Sequence, residues 1–308
     1  MPHHSPCMLR ETMEWLAPQP GQTIADLTAG LGGHGRAIIE RIGPTGRYLG
    51  LEWDPETYEL LQQALADQSN VILVNESFVQ LPEVLAAASL ERVDAVLLDA
   101  GVNYFQLTSE GRSMAQSSEA GLDMRINQRE GVPAEALVNE ASEEELRDVL
   151  RATLAEREAR NIARAVVRAR SREPIRTTRR LSEVVLSTLS PQARRKGRQP
   201  APALLAFRIA VNRELENLEQ GLQLAVDALR PGGRIVVITF QSAEFRVCRA
   251  TMRRLANPCT CPPRLPCVCG AQPRLRILTP KPPGPDEESL RLSGPQCRSA
   301  RLHCAEVL

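Results

Sequence analysis

Between Thr23 and Phe78 the chain reads strand, glycine turn, helix, strand, acid, helix, strand, and that order restricts the folds open to it more than any other stretch. Thr23-Ile-Ala-Asp-Leu27 is a short apolar strand. Gly30-Leu-Gly-Gly33 follows at once, then a helix with Ala37, Ile38, Ile39 and Ile42 on its apolar side. A second strand, Tyr48-Leu-Gly-Leu51, ends on Glu52, twenty residues after Gly32. Glycines let a backbone pass close to a ligand, and an acid at the tip of the next strand can grip two ribose hydroxyls. The first third of the chain is expected to bind a nucleoside-containing cofactor.

Gly30, Gly32 and Gly35 fit the dinucleotide pattern G-x-G-x-x-G, which alone is a weak signal. Asp26 argues another way. It ends the first strand just before the glycines, where a carboxylate repels a pyrophosphate and welcomes the ammonium of S-adenosylmethionine. A plain glycine turn, a dinucleotide site and an S-adenosylmethionine site all remain open on these residues, and the last is preferred.

Residues 70–74 and Val93–Asp99 give a third and a fourth strand. Both are near-continuous apolar runs, as expected of a parallel sheet covered on both faces. Helices are expected over 55–66 and 81–88. After Asp99 the pattern changes. Residues 108–130 are polar and irregular, and 142–171 are helical, opened by the cap Ser142-Glu-Glu-Glu145. Another helix opens at Thr178, and 191–202 read as a basic loop. The sheet then resumes: one long helix over 203–230 ended by Pro231-Gly-Gly233, a fifth strand over 234–240, a helix over 244–255, and a short strand near 302–307. The expectation is an α/β protein whose doubly wound sheet, residues 1–107 and 213–308, is interrupted by an all-helical insertion, 108–212.

No stretch is apolar for the roughly 18 residues of a membrane span. The N-terminus lacks the basic region and apolar core of a signal peptide, so a cytoplasmic protein with no membrane association is expected. Aromatics are 3% of residues, too few for an extended base-stacking platform. The net charge of +1 hides an asymmetry: residues 1–150 hold 9 Arg and 24 Asp or Glu, while 151–213 hold 15 Arg, one Lys and 4 Glu. Such a basic block suggests a polyanion, and Arg suits bidentate phosphate contact. Solvated helix faces in an Arg-rich proteome are the alternative. Cys259, Cys261, Cys267 and Cys269 crowd one Pro-rich loop. Four thiols there can bind a structural zinc. The Cys-x-Cys gap is tighter than usual; a structural zinc and reduced, uncoordinated thiols both stay open, and no metal is assigned. Cys7, Cys248, Cys297 and Cys304 are scattered and imply no pairing, since disulfides are disfavoured in the cytoplasm.

Further motifs occur in one order: Asp26-Leu-Thr-Ala-Gly-Leu-Gly-Gly-His34, Asp99-Ala-Gly-Val102, Gly121-Leu-Asp-Met-Arg125, Glu156-Arg157 with Ile162-Ala-Arg-Ala165, Phe207-Arg-Ile-Ala-Val-Asn212, Pro231-Gly-Gly-Arg-Ile-Val-Val-Ile238 and Arg298-Ser-Ala-Arg301. Together they resemble the bacterial small-subunit ribosomal RNA cytosine-N4 methyltransferases over nearly the whole chain. The resemblance implies a Rossmann-like class I methyltransferase sheet with an inserted helical substrate-recognition domain. It also implies S-adenosyl-L-methionine as cofactor and ribosomal RNA in the small ribosomal subunit as partner, with a homodimer left open. It carries the cofactor site to Gly32, Gly33, His34, Glu52, Phe78, Asp99 and Gln106. Glu52 stands where the family usually has Asp and keeps both acceptor oxygens.

The target side departs from the family pattern: Asn103-Tyr104 follow Asp99-Ala-Gly-Val102, Gln199-Pro-Ala-Pro-Ala203 replaces His-Pro-Ala-Thr-Arg, and Gln241 and Phe245 replace His and Asp. Methylating an exocyclic amine needs alignment and an acceptor for the amine hydrogens. Asp99, at the end of the fourth strand, is the expected acceptor, Asn103 a second one, and Tyr104 a ring for stacking an extruded base. The expected activity is S-adenosylmethionine-dependent methylation of cytosine N4 in small-subunit ribosomal RNA. The alternatives are another RNA or amine as target, or a non-catalytic binder of cofactor and RNA.

Overall fold

The computed structural model describes residues 6–109, 112–190, 192, 195, 197, 199–262 and 268–308, without the side chain of Tyr104. The Tyr104 ring, Cys267 and most of the basic loop, including Arg194, Lys196 and Arg198, lie outside the described residues. The chain divides into two compact units, Met1–Gly101 with Leu215–Leu308, and Val102–Glu214.

The first unit is built on seven strands: β1 Thr23–Asp26, β2 Arg47–Leu51, β3 Val71–Val74, β4 Val93–Asp99, β5 Leu229–Thr239, β6 Leu275–Ile277 and β7 Arg301–Val307. Their order is β3-β2-β1-β4-β5-β7-β6. The first five run parallel, and β7 is antiparallel to both β5 and β6. Successive residues face opposite ways along a strand, so each strand feeds two cores. Ala25, Leu49, Leu51, Val96, Leu98, Ile235 and Val237 fill one. Helix α4 (Leu81–Ala87) covers it with Leu81, Val84 and Leu85. Leu218 and Leu222 of Glu214–Ala228 and Cys248 and Met252 of Ser242–Ala256 complete that cover. Ile24, Tyr48, Ala95, Leu97, Val236 and Ile238 fill the other. Their cover is α1 (Leu9–Leu16), α2 (Gly33–Ile42) and α3 (Pro55–Ala64). Apolar residues on both faces are why β3 and β4 read as near-continuous apolar runs.

The chain builds outward from β1 through β2 to β3, then restarts at β4 on the other side of β1. That reversal is a topological switch point at the carboxyl ends of β1 and β4, the place where open α/β sheets take their ligands.

The second unit is helical: α5 Tyr104–Thr108, α6 Ala134–Glu140, α7 Glu143–Leu150, α8 Glu156–Arg170, α9 Thr178–Ser187 and α10 Ala201–Asn212. It has its own core, with Leu122, Met124, Leu146, Leu150, Ile162, Val166, Leu181 and Phe207 all buried. Ser142 and Glu145 cap α7 reciprocally, as their spacing requires.

Helices α1 and α6 and strand β6 are not among the expected elements, and three expected features take another form. The helix expected over 203–230 is two, α10 and α11 (Glu214–Ala228), broken at Arg213, which takes the left-handed conformation at φ 50°. The break is set by distant bonds. Buried Asn212 donates to Met124 O at 2.8 Å and accepts from Ile126 N at 2.7 Å, which fixes the end of α10. The helical run 142–171 is likewise two helices, α7 and α8. Pro231-Gly-Gly233, expected to end a helix, falls within β5 as an irregularity between the pairs Val93–Leu229 and Ala95–Arg234. A Cβ on Gly233 would lie 2.8 Å from Arg230 O and 2.9 Å from Asp94 O, so the crossing admits only glycine.

Candidate active site

Acids gather where the strands end. Asp26 closes β1, Glu52 follows β2, Asp99 closes β4, and Glu244 lies in the first turn of α12 (Ser242–Ala256). Asp26 is 1% exposed; its Oδ2 accepts from Tyr48 Oη at 2.8 Å and its Oδ1 from Thr28 N at 3.2 Å. Burial pushes its pKa up to about 6 despite both bonds. Glu52 is also buried. Its Oε2 accepts from Gly30 N at 3.0 Å and its Oε1 from Asp54 N at 2.9 Å, so the acid braces the glycine turn and the start of α3 together. Burial raises it to about 7, with the charges of Asp54 and Asp26 adding to the effect.

Asp99 is held by its backbone, whose N–H donates to Thr28 Oγ1 at 2.7 Å. Its Oδ1 is buried and accepts no hydrogen bond among the described residues. Burial, then the charges of Asp26 and Glu244, raises it well above the usual carboxylate range. No Arg or Lys pairs with Asp26, Glu52 or Asp99 among the described residues. Buried like-charged carboxyls without a cation are costly to ionise, which is why all three titrate high.

The glycines divide their work. Gly30 and Gly32 take positive φ, 55° and 80°, and turn the chain from β1 into α2. Gly35 serves packing: a Cβ there would lie 2.6 Å from Tyr48 Oη, the hydroxyl that holds Asp26. A Cβ on Gly33 would meet Pro6 at 3.2 Å, so the N-terminal segment runs beside the loop. The His34 imidazole is buried and turned toward that segment, with Nε2 3.1 Å from Cys7 O. Nε2 therefore carries the proton toward the carbonyl. Burial lowers the pKa of His34 to about 4, so its 4.0 Å approach to Asp99 is not an ion pair near neutral pH. The Phe78 ring packs on Gly221 of α11, where a Cβ would lie 2.5 Å away.

Asn103 and Gln106 belong to the second unit. Asn103 Oδ1 accepts from Gln106 N at 2.9 Å and Gln106 Oε1 accepts from Asn103 N at 2.9 Å, a capping box at the start of α5. Asp123 and Arg125 form a two-pronged ion pair within the same unit, both contacts 2.8 Å.

Sequence reasoning missed Tyr48 and Glu244. Glu244 Oε2 accepts from Phe240 N at 2.8 Å and Gln241 N at 3.0 Å, and the Gln241-x-x-Glu244 spacing is the signal that could have found it. It also missed the pairing of Cys7 with Cys297, joined by a disulfide with Cα atoms 5.7 Å apart and 290 residues apart in sequence. That corrects the reading of these cysteines as scattered: α1 and the segment before β7 pack in one core and bring both thiols together.

Comparison with known proteins agrees along the whole length. The profile of the MraW methylase family matches residues 1–308. A ribosomal RNA small subunit methyltransferase H from Symbiobacterium thermophilum is 43% identical over 309 residues, covering 99% of this chain and 97% of that protein. The protein of the same name from Trichlorobacter lovleyi is 39% identical, covering 99% and 98%. That from Solidesulfovibrio magneticus is 43% identical over 312 residues, covering 100% and 96%.

Proposed function

The chain belongs to the MraW methylase family, and from that premise we propose that it is an S-adenosyl-L-methionine-dependent methyltransferase of small-subunit ribosomal RNA, acting on cytosine N4. The observation that carries the cofactor reading is the uncompensated trio Asp26, Glu52 and Asp99 beyond the ends of β1, β2 and β4. A dinucleotide pyrophosphate would add negative charge to three buried acids. S-adenosylmethionine brings an ammonium and a sulfonium, and the sulfonium makes its methyl group an electrophile. The buried, unpartnered Asp99 Oδ1 fits such a ligand.

Each residue then has a proposed task. Glu52 keeps a lone pair on each oxygen beyond the two amides it accepts, enough for two ribose hydroxyls. Gly32, Gly33 and His34 offer backbone rather than imidazole chemistry, since His34 is neutral and turned to Cys7. Phe78 is proposed beside the adenine. Asp99 accepts an N–H of the target amine and takes up its proton; a raised pKa suits a base working near neutrality. Asn103, Tyr104 and Gln106 are proposed on the target side and the methionine end, being four to seven residues beyond Asp99 in the chain.

The second unit is proposed to hold RNA. Many of its arginines are neutralised by carboxylates, among them Arg151, Arg160, Arg164 and Arg179. Arg168, Arg172 and Arg176 are exposed and have no ion pair among the described residues, so they are the proposed phosphate contacts.

The test is transfer of a labelled methyl group to small ribosomal subunits at several assembly stages, with the product nucleoside identified by mass. Asp99→Ala should lower kcat/KM by about 10²–10⁴, the range of a lost acid–base group, with unchanged circular dichroism. Full activity of Asp99→Ala removes Asp99 from the chemistry. Methylation of a different base rejects the cytosine assignment, and no transfer at any stage despite binding of both ligands favours the binder.

A further inference from the structure

Residues 256–273 leave the first unit between α12 and β6. The base of this excursion is closed, because Arg274 N donates to Leu255 O at 2.9 Å and Leu308 N to Arg274 O at 3.1 Å. Beyond Ala256, the last residue of α12, its described residues form no helix or strand. Pro258, Pro262 and Pro273 withhold backbone donors, and Val268 is 88% exposed. Among its described residues the excursion has no apolar core of its own to hold it, and ordered loops of such length need another tether.

Three thiols supply the means. The Sγ atoms of Cys259, Cys261 and Cys269 all lie within 4.8 Å of one another, and none of the three is disulfide-bonded. Tetrahedral thiolate coordination at about 2.3 Å sets sulfurs about 3.8 Å apart, a spacing that falls within the 4.8 Å over which these three are grouped. Val268 N donates to Cys261 Sγ at 3.4 Å, an amide-to-sulfur bond of the kind that supports a thiolate ligand. Arg253 lines the same cleft as Cys259 and would offset thiolate charge, whereas Arg254, also on that cleft, is paired with Glu219 at 2.9 Å. An all-sulfur donor set disfavours magnesium and calcium and selects a soft or borderline ion.

We propose that Cys259, Cys261 and Cys269 bind one zinc ion that clips the loop between α12 and β6. Cys267, in the same loop, lies outside the described residues and is not assigned. The zinc is structural. Helix α12 runs back from the carboxyl end of β5, and β6 is parallel to β5 because both are antiparallel to β7. The loop therefore lies at the amino ends of the parallel strands, the opposite pole of the sheet from Asp26 and Asp99. This decides between the two readings that the sequence left open for these cysteines.

The test uses untagged full-length protein, purified under reducing conditions without chelator from zinc-replete cells. Elemental analysis should find about one zinc per chain, and cobalt substitution should give thiolate-to-cobalt charge-transfer bands with tetrahedral d–d bands. Cys261→Ser and Cys269→Ser should each lower zinc content about tenfold while S-adenosylmethionine binding persists. Should a variant fail to fold, the wild-type metal content and cobalt spectrum still decide. Less than about a tenth of an equivalent of zinc with no cobalt bands overturns the proposal. So does iron in place of zinc, or zinc undiminished in the triple Cys→Ser variant.

Discussion

Lowering pH should weaken cofactor binding and strengthen the contribution that the same buried acids make to the ligand-free fold. Glu52 has a pKa of about 7 and Asp26 of about 6 when buried without a cation. A cationic ligand needs them ionised. A group of pKa about 7 is ionised in roughly one molecule in ten at about pH 6, so the apparent Kd for S-adenosylmethionine should rise about tenfold from about pH 8 to about pH 6. Protons should be released on binding, which calorimetry in buffers of different ionisation enthalpy counts directly. The sign for stability is opposite. A carboxyl whose folded pKa is raised stabilises the fold below its unfolded pKa, and that contribution is lost as pH rises through the folded value. Between about pH 5.5 and pH 8 Glu52 and Asp26 together should lose about 2–3 kcal/mol and Asp99 adds to that loss, while buried His34 and His303, lowered to about 4, act with the opposite sign as the imidazoles of the unfolded chain deprotonate; the Glu52 contribution is therefore read as the difference in pH dependence between wild type and Glu52→Gln. The ion-paired Asp123 and Asp286 have lowered pKa values and lose their contribution only at more acid pH, outside this window. Glu52→Gln should remove most of the pH dependence of binding and bind more weakly at about pH 8, by about 1.5–3 kcal/mol for lost charge-assisted bonds. Flat affinity from about pH 6 to pH 8 without proton release refutes the reasoning, whatever the affinity itself.

Two further outcomes are expected. Replacing Arg168, Arg172 and Arg176 with Gln should reduce the salt slope of RNA binding by about 2–3, at roughly 0.7–0.9 per phosphate contact, and leave cofactor affinity unchanged; identical slopes would make that edge a solvated surface. Gly35→Ala should destabilise by about 1–3 kcal/mol in denaturant unfolding, because the new Cβ presses on Tyr48 and disturbs its bond to Asp26. A stability gain, as helix propensity alone would give, counts against that contact.

The sheet was legible because its signals are local. β4 is apolar on both faces and ends abruptly in Asp99, so a single stretch gives its type, its burial and the end that lies at the switch point. The same holds for Thr23–Asp26 and the glycines behind it. What stayed hidden depends on residues far apart in the chain. Nothing local at Arg213 forbids a helix; the break comes from Asn212 bonding to Met124 and Ile126. The pairing of Cys7 with Cys297 requires the two ends of the chain to meet. Asp99 could be recognised as a strand-end acid, but its missing hydrogen-bond partner is a property of the surrounding fold and has no sequence signature.

The two units are made in an order that leaves one of them waiting. Val102–Glu214 is continuous in the chain and has a core of its own, so it can fold as soon as it leaves the ribosome. The sheet cannot: β4 ends at Asp99, yet its neighbour β5 begins at Leu229, and β7 closes only at Val307. At roughly 5–20 residues per second the open edge of β4 stays unpaired for several seconds up to about half a minute. A central strand that is apolar on both faces is then an aggregation hazard during every round of synthesis. Holdase capture of nascent chains should peak once β4 has emerged and fall when β5 pairs with it.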